Sequence, residues 1–216
     1  MRLLFLFILT SMVAVTAFAQ SENIDEEAKA ILEKVSATYA TYDAIKADFK
    51  MTIDIPDTDD DEYQEGSVYL QDDSYKLNLL GTEIITDNTT IWTYLAEVNE
   101  VQISYYEPEE GTITPSQIFT IYEKDFSYYY NGSEKLGDQK FETIDLTPND
   151  KEMPYFKVRL WIHPKTNHIK QAKVFDRNGN RYIYEVENFD PTITIGEGFF
   201  NFDVAQYEDI EVIDLR

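Results

Sequence analysis

The sequence contains no cysteine, and this absence excludes several kinds of chemistry. The chain cannot form a disulfide bond, it carries no thiol nucleophile, and it offers no cysteine for lipid attachment after an export signal. The folded state must therefore be stabilised by the burial of apolar side chains, without covalent cross-links.

Basic residues are scarce: the chain has 18 Lys and Arg residues against 41 Asp and Glu residues, a net charge of −23. Nucleic acids and anionic membrane surfaces attract proteins through Lys and Arg side chains, so this balance argues against both as partners. A large net charge also keeps molecules apart in solution, and we expect a monomer. Disorder, which high charge can also indicate, is disfavoured by 16 Tyr and 13 Phe residues.

Long apolar runs are absent after the first twenty residues. Those twenty combine a positive charge at Arg2, an apolar stretch over residues 3–15 and a small-x-small sequence, Ala-Phe-Ala, which is typical of an export signal. We predict a signal peptide over residues 1–19, cleaved near Ala19-Gln20, and a single domain over residues 20–216 outside the cytoplasmic membrane. The alternative, an uncleaved anchor, is disfavoured because a bilayer requires about 20 apolar residues.

Two stretches carry the pattern of amphipathic helices. In residues 23–42, Asn23 and Glu26 form a candidate capping box, and apolar residues follow at helical spacing. Residues 114–126 begin with a Thr-Pro pair, which places an N-cap before a proline at the first helical position. The apolar positions are Ala28, Ile31, Leu32, Val35 and Tyr39 in the first helix and Ile118, Phe119, Ile121 and Tyr122 in the second.

Most of the remaining chain predicts β-strands. Residues 45–55 alternate apolar and polar side chains without interruption, which is typical of an antiparallel sheet with one apolar face. The pair Asn178-Gly179 is the strongest hairpin signal in the chain. About eleven strands are predicted in residues 45–55, 63–71, 74–80, 82–87, 90–95, 98–107, 127–130, 139–148, 155–163, 168–176 and 181–189, before the tail over 199–216.

These elements indicate a mainly β fold with helices, of the α+β class. Two helices are too few to cover a flat sheet of about eleven strands, so we expect a single antiparallel sheet that curls around apolar space. The helices would then form a lid over the open side. The simpler alternative is that the same residues fill an ordinary core.

Candidate catalytic and metal sites are weak. Asp57, Asp59 and Asp61 resemble the start of a calcium loop, but Glu62 stands where that loop requires glycine. The two histidines, His163 and His168, flank a predicted turn, and no nucleophile motif is present. We therefore expect no metal, no cofactor and no catalytic residues, and we interpret the chain as a protein without enzymatic activity.

Several motifs, in their order and spacing, resemble the periplasmic outer-membrane lipoprotein carrier family, the LolA-like proteins. The resemblance extends over essentially the whole chain after the signal peptide, and each motif is weak by itself. The motifs are Asp48-Phe49-Lys50, the GSVYLQ sequence from Gly66, SYKLNLL over 74–80, ITDN over 85–88 followed by TIWTY over 90–94, Glu100-Val101-Gln102, Thr114-Pro115, Phe200-Asn201-Phe202 and IEVID over 210–214.

The resemblance implies an unclosed half-barrel whose apolar hollow shields the acyl chains of lipoproteins. A soluble periplasmic carrier of this kind receives acylated lipoproteins from an inner-membrane ABC lipoprotein-releasing transporter and passes them to an outer-membrane acceptor. It also implies two groups of site residues. The hollow would be lined by Phe49, Met51, Ile53, Tyr75, Leu77, Leu79, Trp92, Tyr94, Phe156, Val158 and Leu160, and the lid would contribute Ile31, Leu32, Val35, Ile118, Phe119 and Tyr122.

One position departs from the family pattern. The family often has arginine and proline in the turn before the SYKLNLL strand, where the arginine latches the lid, whereas this chain has Asp72-Asp73. Two alternatives to a carrier stay open. The protein could be a periplasmic binder or sensor of another acylated or lipid ligand on the same fold, or a structural envelope protein that binds no ligand.

Overall fold

The computed structural model describes residues 25–55, 62–107 and 126–216. The predicted helix over 114–126 lies outside these residues except for Phe126, which begins a strand, and the acidic loop with Asp57, Asp59 and Asp61 also lies outside them. The described elements are α1 (Glu26–Tyr39), β1 (Ile45–Asp54), β2 (Glu62–Gln71), β3 (Ser74–Leu79), β4 (Thr82–Thr86), β5 (Thr90–Leu95), β6 (Glu100–Tyr105), β7 (Phe126–Leu136), β8 (Gln139–Pro148), β9 (Tyr155–Ile162), β10 (Ile169–Asp176), β11 (Arg181–Asp190) and β12 (Glu211–Asp214).

The twelve described strands form one sheet in the order β12-β6-β5-β4-β3-β2-β1-β11-β10-β9-β8-β7. All neighbours are antiparallel except β12, which runs parallel to β6. Two meanders, β1 to β6 and β7 to β11, meet where β1 pairs with β11. The predicted large unclosed antiparallel sheet is confirmed, and the twelfth strand comes from the tail.

The end of β7 differs from the prediction. The strand was expected over residues 127–130, but it continues to Leu136 because the chain passes Asn131-Gly132 as a bulge rather than as a turn. Gly132 has a φ of +85° there, which an L side chain rarely adopts. The β10–β11 hairpin lies where Asn178-Gly179 predicts it, and Gly179 again has a positive φ.

Helix α1 begins after Asp25, whose carboxylate accepts hydrogen bonds from the N–H groups of Glu27 (2.9 Å) and Ala28 (3.2 Å). Asp25 is therefore the N-cap, and the prediction of Asn23 was wrong because a second suitable acceptor lies two residues later. The predicted apolar stripe is confirmed, since the buried positions recur at helical spacing. They are Ala28, Leu32, Val35 and Tyr39.

Both ends of α1 are attached to the sheet. At the first turn, the other carboxylate oxygen of Asp25 accepts a hydrogen bond from the Tyr130 N–H of β7 at 3.1 Å. At the last turn, the Tyr39 hydroxyl accepts one from the Ile169 N–H of β10 at 3.1 Å. Just beyond the helix, the Tyr42 hydroxyl lies 2.8 Å from Nε2 of His168. These contacts hold α1 across one end of the sheet.

The sheet has apolar residues on both faces. On the inner face, which carries α1, the main core joins α1 to β1–β3 and β8–β10. On the outer face, a second core consists of buried residues of β4 and β6 together with Phe202 of the tail. The second core contains Ile85, Val101, Ile103 and Phe202, packed against Trp92, Tyr94, Phe200, Tyr207 and Ile210.

Candidate functional site

Among the described residues, α1 covers only one end of the inner face, and the rest of that face is partly exposed. The helix packs where β1 begins, at Ile45 and Ala47. Ile53 is eight residues after Ile45 on the same strand, so it lies about 26 Å farther along the sheet. The apolar side chains in this region are half-buried rather than enclosed. We call this surface the apolar floor and define it as Phe49, Met51, Ile53, Leu77, Leu79, Ile84, Val174, Tyr182, Tyr184 and Val186.

The strand register places the floor residues on one face. Met51 pairs with Tyr184 and Ile53 with Tyr182 across β1 and β11, and directly paired residues share a face. Leu77 pairs in turn with Ile84 across β3 and β4. The floor therefore extends from β10 through β11 and β1 to β4, across the junction of the two meanders. On β2 it passes Gly66, which pairs with Phe49 and Leu79, while the polar Gln64 pairs with Met51.

Gly66 gives the Phe49 ring its position on the floor. The two residues pair across β1 and β2. A Cβ atom at position 66 would lie 2.7 Å from Cζ of Phe49 and 2.7 Å from the backbone oxygen of Asn78. Both distances are too short for contacts of a Cβ atom, so only glycine at position 66 allows the Phe49 ring to lie across β2.

Two tyrosines of the inner face, Tyr184 and Tyr75, have a pKa above the ordinary value of a phenol. Burial raises the pKa of Tyr184, and the neighbouring Tyr182 raises it further. Burial likewise raises the pKa of Tyr75, where the Tyr106 phenol adds to the effect. A phenol that does not ionise adds no charge to a surface where charge would oppose the binding of apolar groups.

Most of the predicted hollow residues lie on the inner face, at two depths. Phe49, Met51, Ile53, Leu77 and Leu79 belong to the half-buried floor. Tyr75, Val158 and Leu160 are fully buried in the main core beside α1. The part of all these residues in ligand binding stays a prediction. The floor residues retain exposed surface that a ligand could contact, whereas the core residues do not.

Two predicted hollow residues lie on the opposite face. Trp92 pairs with Ile85 and with Ile103, and all three belong to the second core. The Tyr94 ring lies 4.7 Å from Tyr207 of the tail. Strand β4 carries isoleucine at consecutive positions, so both faces are apolar and the pattern does not indicate which one faces the helix. The structure does not bring Trp92 and Tyr94 to the floor.

Phe156 also faces outward. The β9–β10 register shifts between Phe175 and Asp176, which interrupts the alternation that would place Phe156 beside Val158. The Phe156 side chain is 44% exposed, and its ring lies 6.1 Å from that of Phe175. A bulge of this kind leaves no reliable trace in the alternating pattern.

The helical lid is described only in part. Leu32 and Val35 of α1 are fully buried and Ile31 packs beside them, so these residues form a fixed cover over one end of the sheet. Ile118, Phe119 and Tyr122 lie outside the described residues. Sequence reasoning missed Ile84, Val174 and the alternating Tyr182, Tyr184 and Val186, although the alternation in β11 could have indicated the last three.

A groove of about 540 Å³ lies on the outer side of β1–β4. Its walls include the carboxylates of Asp48, Glu65 and Glu83 and the rings of Tyr94 and Tyr207. Glu83 forms an ion pair with Lys76 at 2.8 Å. Carboxylates in the walls make this groove unsuitable for acyl chains, and the apolar floor is the candidate site.

The fold and the floor together define a class of protein: an open, mostly antiparallel half-barrel whose inner apolar face is covered at one end by a helix. The family model described as outer membrane lipoprotein carrier protein LolA matches residues 40–203. The chain belongs to this family, which confirms the resemblance seen in the sequence.

A solved structure agrees with the fold. An uncharacterised conserved protein from Thermus thermophilus aligns with 87% of this chain and 99% of its own, at 13% identity and a TM-score of 0.58. Two weaker similarities are to a LolA superfamily protein from Nitrosomonas europaea and to LprF from Mycobacterium bovis. The first aligns with 81% of this chain and 97% of its own, at 12% identity and a TM-score of 0.45. The second aligns with 81% of this chain and 98% of its own, at 13% identity and a TM-score of 0.48. None of the curated proteins matches the chain.

Membrane spans and metal clusters are both missing from residues 25–55, 62–107 and 126–216. No helix in these ranges has the length and apolar character needed to span a membrane. No group of three or more His, Asp or Glu side chains within them is arranged to hold a metal ion.

Proposed function

We propose that this protein is a soluble periplasmic carrier that shields the acyl chains of lipoproteins on its apolar floor. The observation that supports the proposal is the floor itself, a half-buried apolar surface on both sides of β2 in a chain of the LolA family. A protein whose interior served only as a core would bury these side chains completely, as Leu32 and Leu160 are buried.

The expected binding energy is sufficient for transport through water. Each methylene group that leaves water contributes about 0.8 kcal/mol, so an acyl chain with about ten buried methylenes gains roughly 8 kcal/mol before the cost of immobilisation. Several chains on one cargo molecule would multiply this gain.

The attachment of α1 at both ends determines where the cargo would enter. Asp25 and Tyr39 hold the two ends of the helix to β7 and β10, so opening this side would require breaking both contacts. The uncovered end with Met51, Ile53 and Leu79 is the accessible one. We propose that acyl chains enter there and leave by the same route.

The partners proposed for the carrier follow from its family. It would receive acylated lipoproteins from an inner-membrane ABC lipoprotein-releasing transporter and deliver them to an outer-membrane acceptor. The exposed Asp72-Asp73 turn between β2 and β3 occupies the place of the family's latch arginine. This turn favours one alternative, a binder of another acylated or lipid ligand on the same fold.

Native mass spectrometry of the protein isolated from its own periplasm tests the proposal. We expect a fraction of the protein to carry the mass of a lipoprotein or of its acylated N-terminal fragment. A bound free lipid without polypeptide would support the alternative binder instead. A protein that carries no ligand, and that takes up no triacylated lipoprotein from inner-membrane vesicles containing the transporter, would contradict both functions.

A further inference from the structure

Among the described strands, β12 lies at one end of the sheet. It pairs with β6 on one side, and none of the strands in the described residues pairs with the other side. An edge strand offers unpaired backbone N–H and C=O groups to a strand from another molecule. The outer edge of β12 is therefore available for strand addition.

The hydrogen bonds show which backbone groups are available. The Glu211 N–H donates to the Asn99 oxygen at 3.0 Å, and the Leu215 N–H donates to the Ile103 oxygen at 2.8 Å. Successive residues of a strand direct their backbone groups to opposite edges. Glu211, Ile213 and Leu215 therefore face β6, whereas Val212 and Asp214 direct their N–H and C=O groups away from the sheet.

The edge is held in place before any partner arrives. The Asn99 side chain donates a hydrogen bond to the Glu208 backbone oxygen at 3.0 Å, and Ile210 packs against the second core. Stacked rings of Phe202 and Tyr207, with centroids 4.6 Å apart, fix the segment that leads into β12. A partner strand would meet an ordered edge and would bear little ordering cost on this side.

The side chains along the edge combine apolar surface with negative charge. Val212 is 44% exposed, Leu215 is 64% exposed, and Tyr105 of the adjacent β6 is 61% exposed. Residues 191–216 contain six carboxylates and one arginine. That arginine, Arg216, already pairs with Asp214 at 2.8 Å, and the ion pairs among the described residues leave Glu208, Asp209 and Glu211 without a cation.

This charge distribution distinguishes between occupants. A second copy of the chain would bring an equally acidic strand against Glu211, and like charges facing each other across strands are destabilising. A strand that carries Lys or Arg would instead place cations beside Glu211 on one face of the sheet, while its apolar side chains cover Val212 on the other face. The charges that oppose self-association therefore favour a basic partner.

We propose that the outer edge of β12 binds a basic, extended segment of a partner protein, which adds to the sheet as a further strand. Backbone hydrogen bonds to Val212 and Asp214 would fix its position. Alternating basic and apolar side chains would give it specificity for this edge. The proposal concerns a surface apart from the apolar floor and does not depend on the cargo bound there.

The test uses the isotope-labelled protein and a synthetic seven-residue peptide of alternating lysine and valine with blocked ends. We expect amide chemical shifts to change at residues 99–105 and 211–216, and we expect the affinity to fall as salt is raised because the attraction is electrostatic. Two control peptides, one with glutamate in place of lysine and one with proline at the central position, should not bind.

Two matched variants separate strand addition from general attraction to an acidic surface. Val212→Pro removes the outward N–H and leaves the bonds from residues 211, 213 and 215 to β6, so we expect at least a tenfold loss of affinity. Val212→Ala keeps the N–H and should lose much less. Equal affinity of Val212→Pro and the unchanged protein, shift changes centred on β7 instead, or dimers of the free protein in sedimentation would each overturn the proposal.

Discussion

The two faces of the sheet are covered in different ways, although both are rich in aromatic side chains. On the outer face the tail packs Phe202 and Tyr207 against Tyr94 and closes the second core, in which Ile85 is 1% exposed. On the inner face α1 covers only one end of the sheet, and the apolar floor stays half-buried. A close-packed core leaves no volume for a ligand, so the incomplete cover makes the inner face the candidate for binding.

The largest effect on stability is expected where a charge replaces a buried residue of the outer face, which the tail covers. Ile85→Glu would bury a carboxylate in the second core, and Lys76, which pairs with Ile85 across β3 and β4, already forms an ion pair with Glu83. We expect a loss of at least about 4 kcal/mol in the free energy of unfolding, measured by urea denaturation. An Ile85→Glu protein as stable as the unchanged protein would show that the tail does not close this face.

A substitution by glutamate on the apolar floor of the inner face should leave the protein folded and abolish the binding of acyl chains. Leu77 lies on β3, next to β4, but points to the floor, where a charged side chain can reach water. We expect Leu77→Glu to fold and to lose roughly a hundredfold in affinity for a fluorescent acyl probe, which corresponds to about 2.7 kcal/mol.

The matched control is Phe156→Glu, which adds the same charge on the outer face at a position that is already exposed. It should bind the probe as the unchanged protein does. If Leu77→Glu unfolds instead, Leu77 belongs to the core and the floor is misplaced there.

A smaller effect is expected where only the shape of the floor changes. Gly66→Ala would force the Phe49 ring off β2, because the new Cβ atom has no space. Overpacking of this kind costs about 1–3 kcal/mol. Since the backbone oxygen of Asn78 is equally close, Phe49→Leu should restore only part of the stability. A double-mutant cycle measured by thermal unfolding gives the coupling, and additive effects would contradict a direct contact.

The smallest effect concerns the attachment of α1. Hydrogen bonds from the N–H groups of Tyr130 and Ala28 lower the pKa of Asp25 below its ordinary value of 3.8. The stabilisation is therefore present above the unfolded pKa and is lost as the pH falls through the folded pKa. We expect the protection of the Tyr130 and Ala28 amides, relative to the intrinsic exchange rate at each pH, to fall in that acidic range, and we expect Asp25→Asn to remove this fall.

A control for the acid effect is Asp190→Asn. The pKa of Asp190 is also lowered, by hydrogen bonds from Thr192, and its carboxylate accepts these bonds from the chain after β11 rather than from α1. Its substitution should leave exchange at Tyr130 unchanged. If the Tyr130 amide exchanges at the same rate in Asp25→Asn and in the unchanged protein at every pH, the Asp25 carboxylate does not hold the helix to β7.

The sequence predicts the strands better than it predicts their faces. Strand β1 has one apolar face, and its alternation places Phe49, Met51 and Ile53 together, as the structure does. Trp92 could not be assigned in the same way because β4 and β5 carry apolar residues on both faces and the tail that covers the outer one is distant in sequence. The bulge beside Phe156 depends on contacts between strands, which alternation within one strand does not contain.

The position of β1 in the sheet also sets the order in which the protein can assemble. Lys46 pairs with Asp190, so the junction of the two meanders requires residues from both ends of the domain. Contacts between residues distant in sequence form slowly because the chain must first close a long loop. The apolar floor extends across this junction, so it cannot form until β11 is available to pair with β1. A chain exported from its N-terminus would therefore complete the apolar floor only when nearly all of it has crossed the membrane.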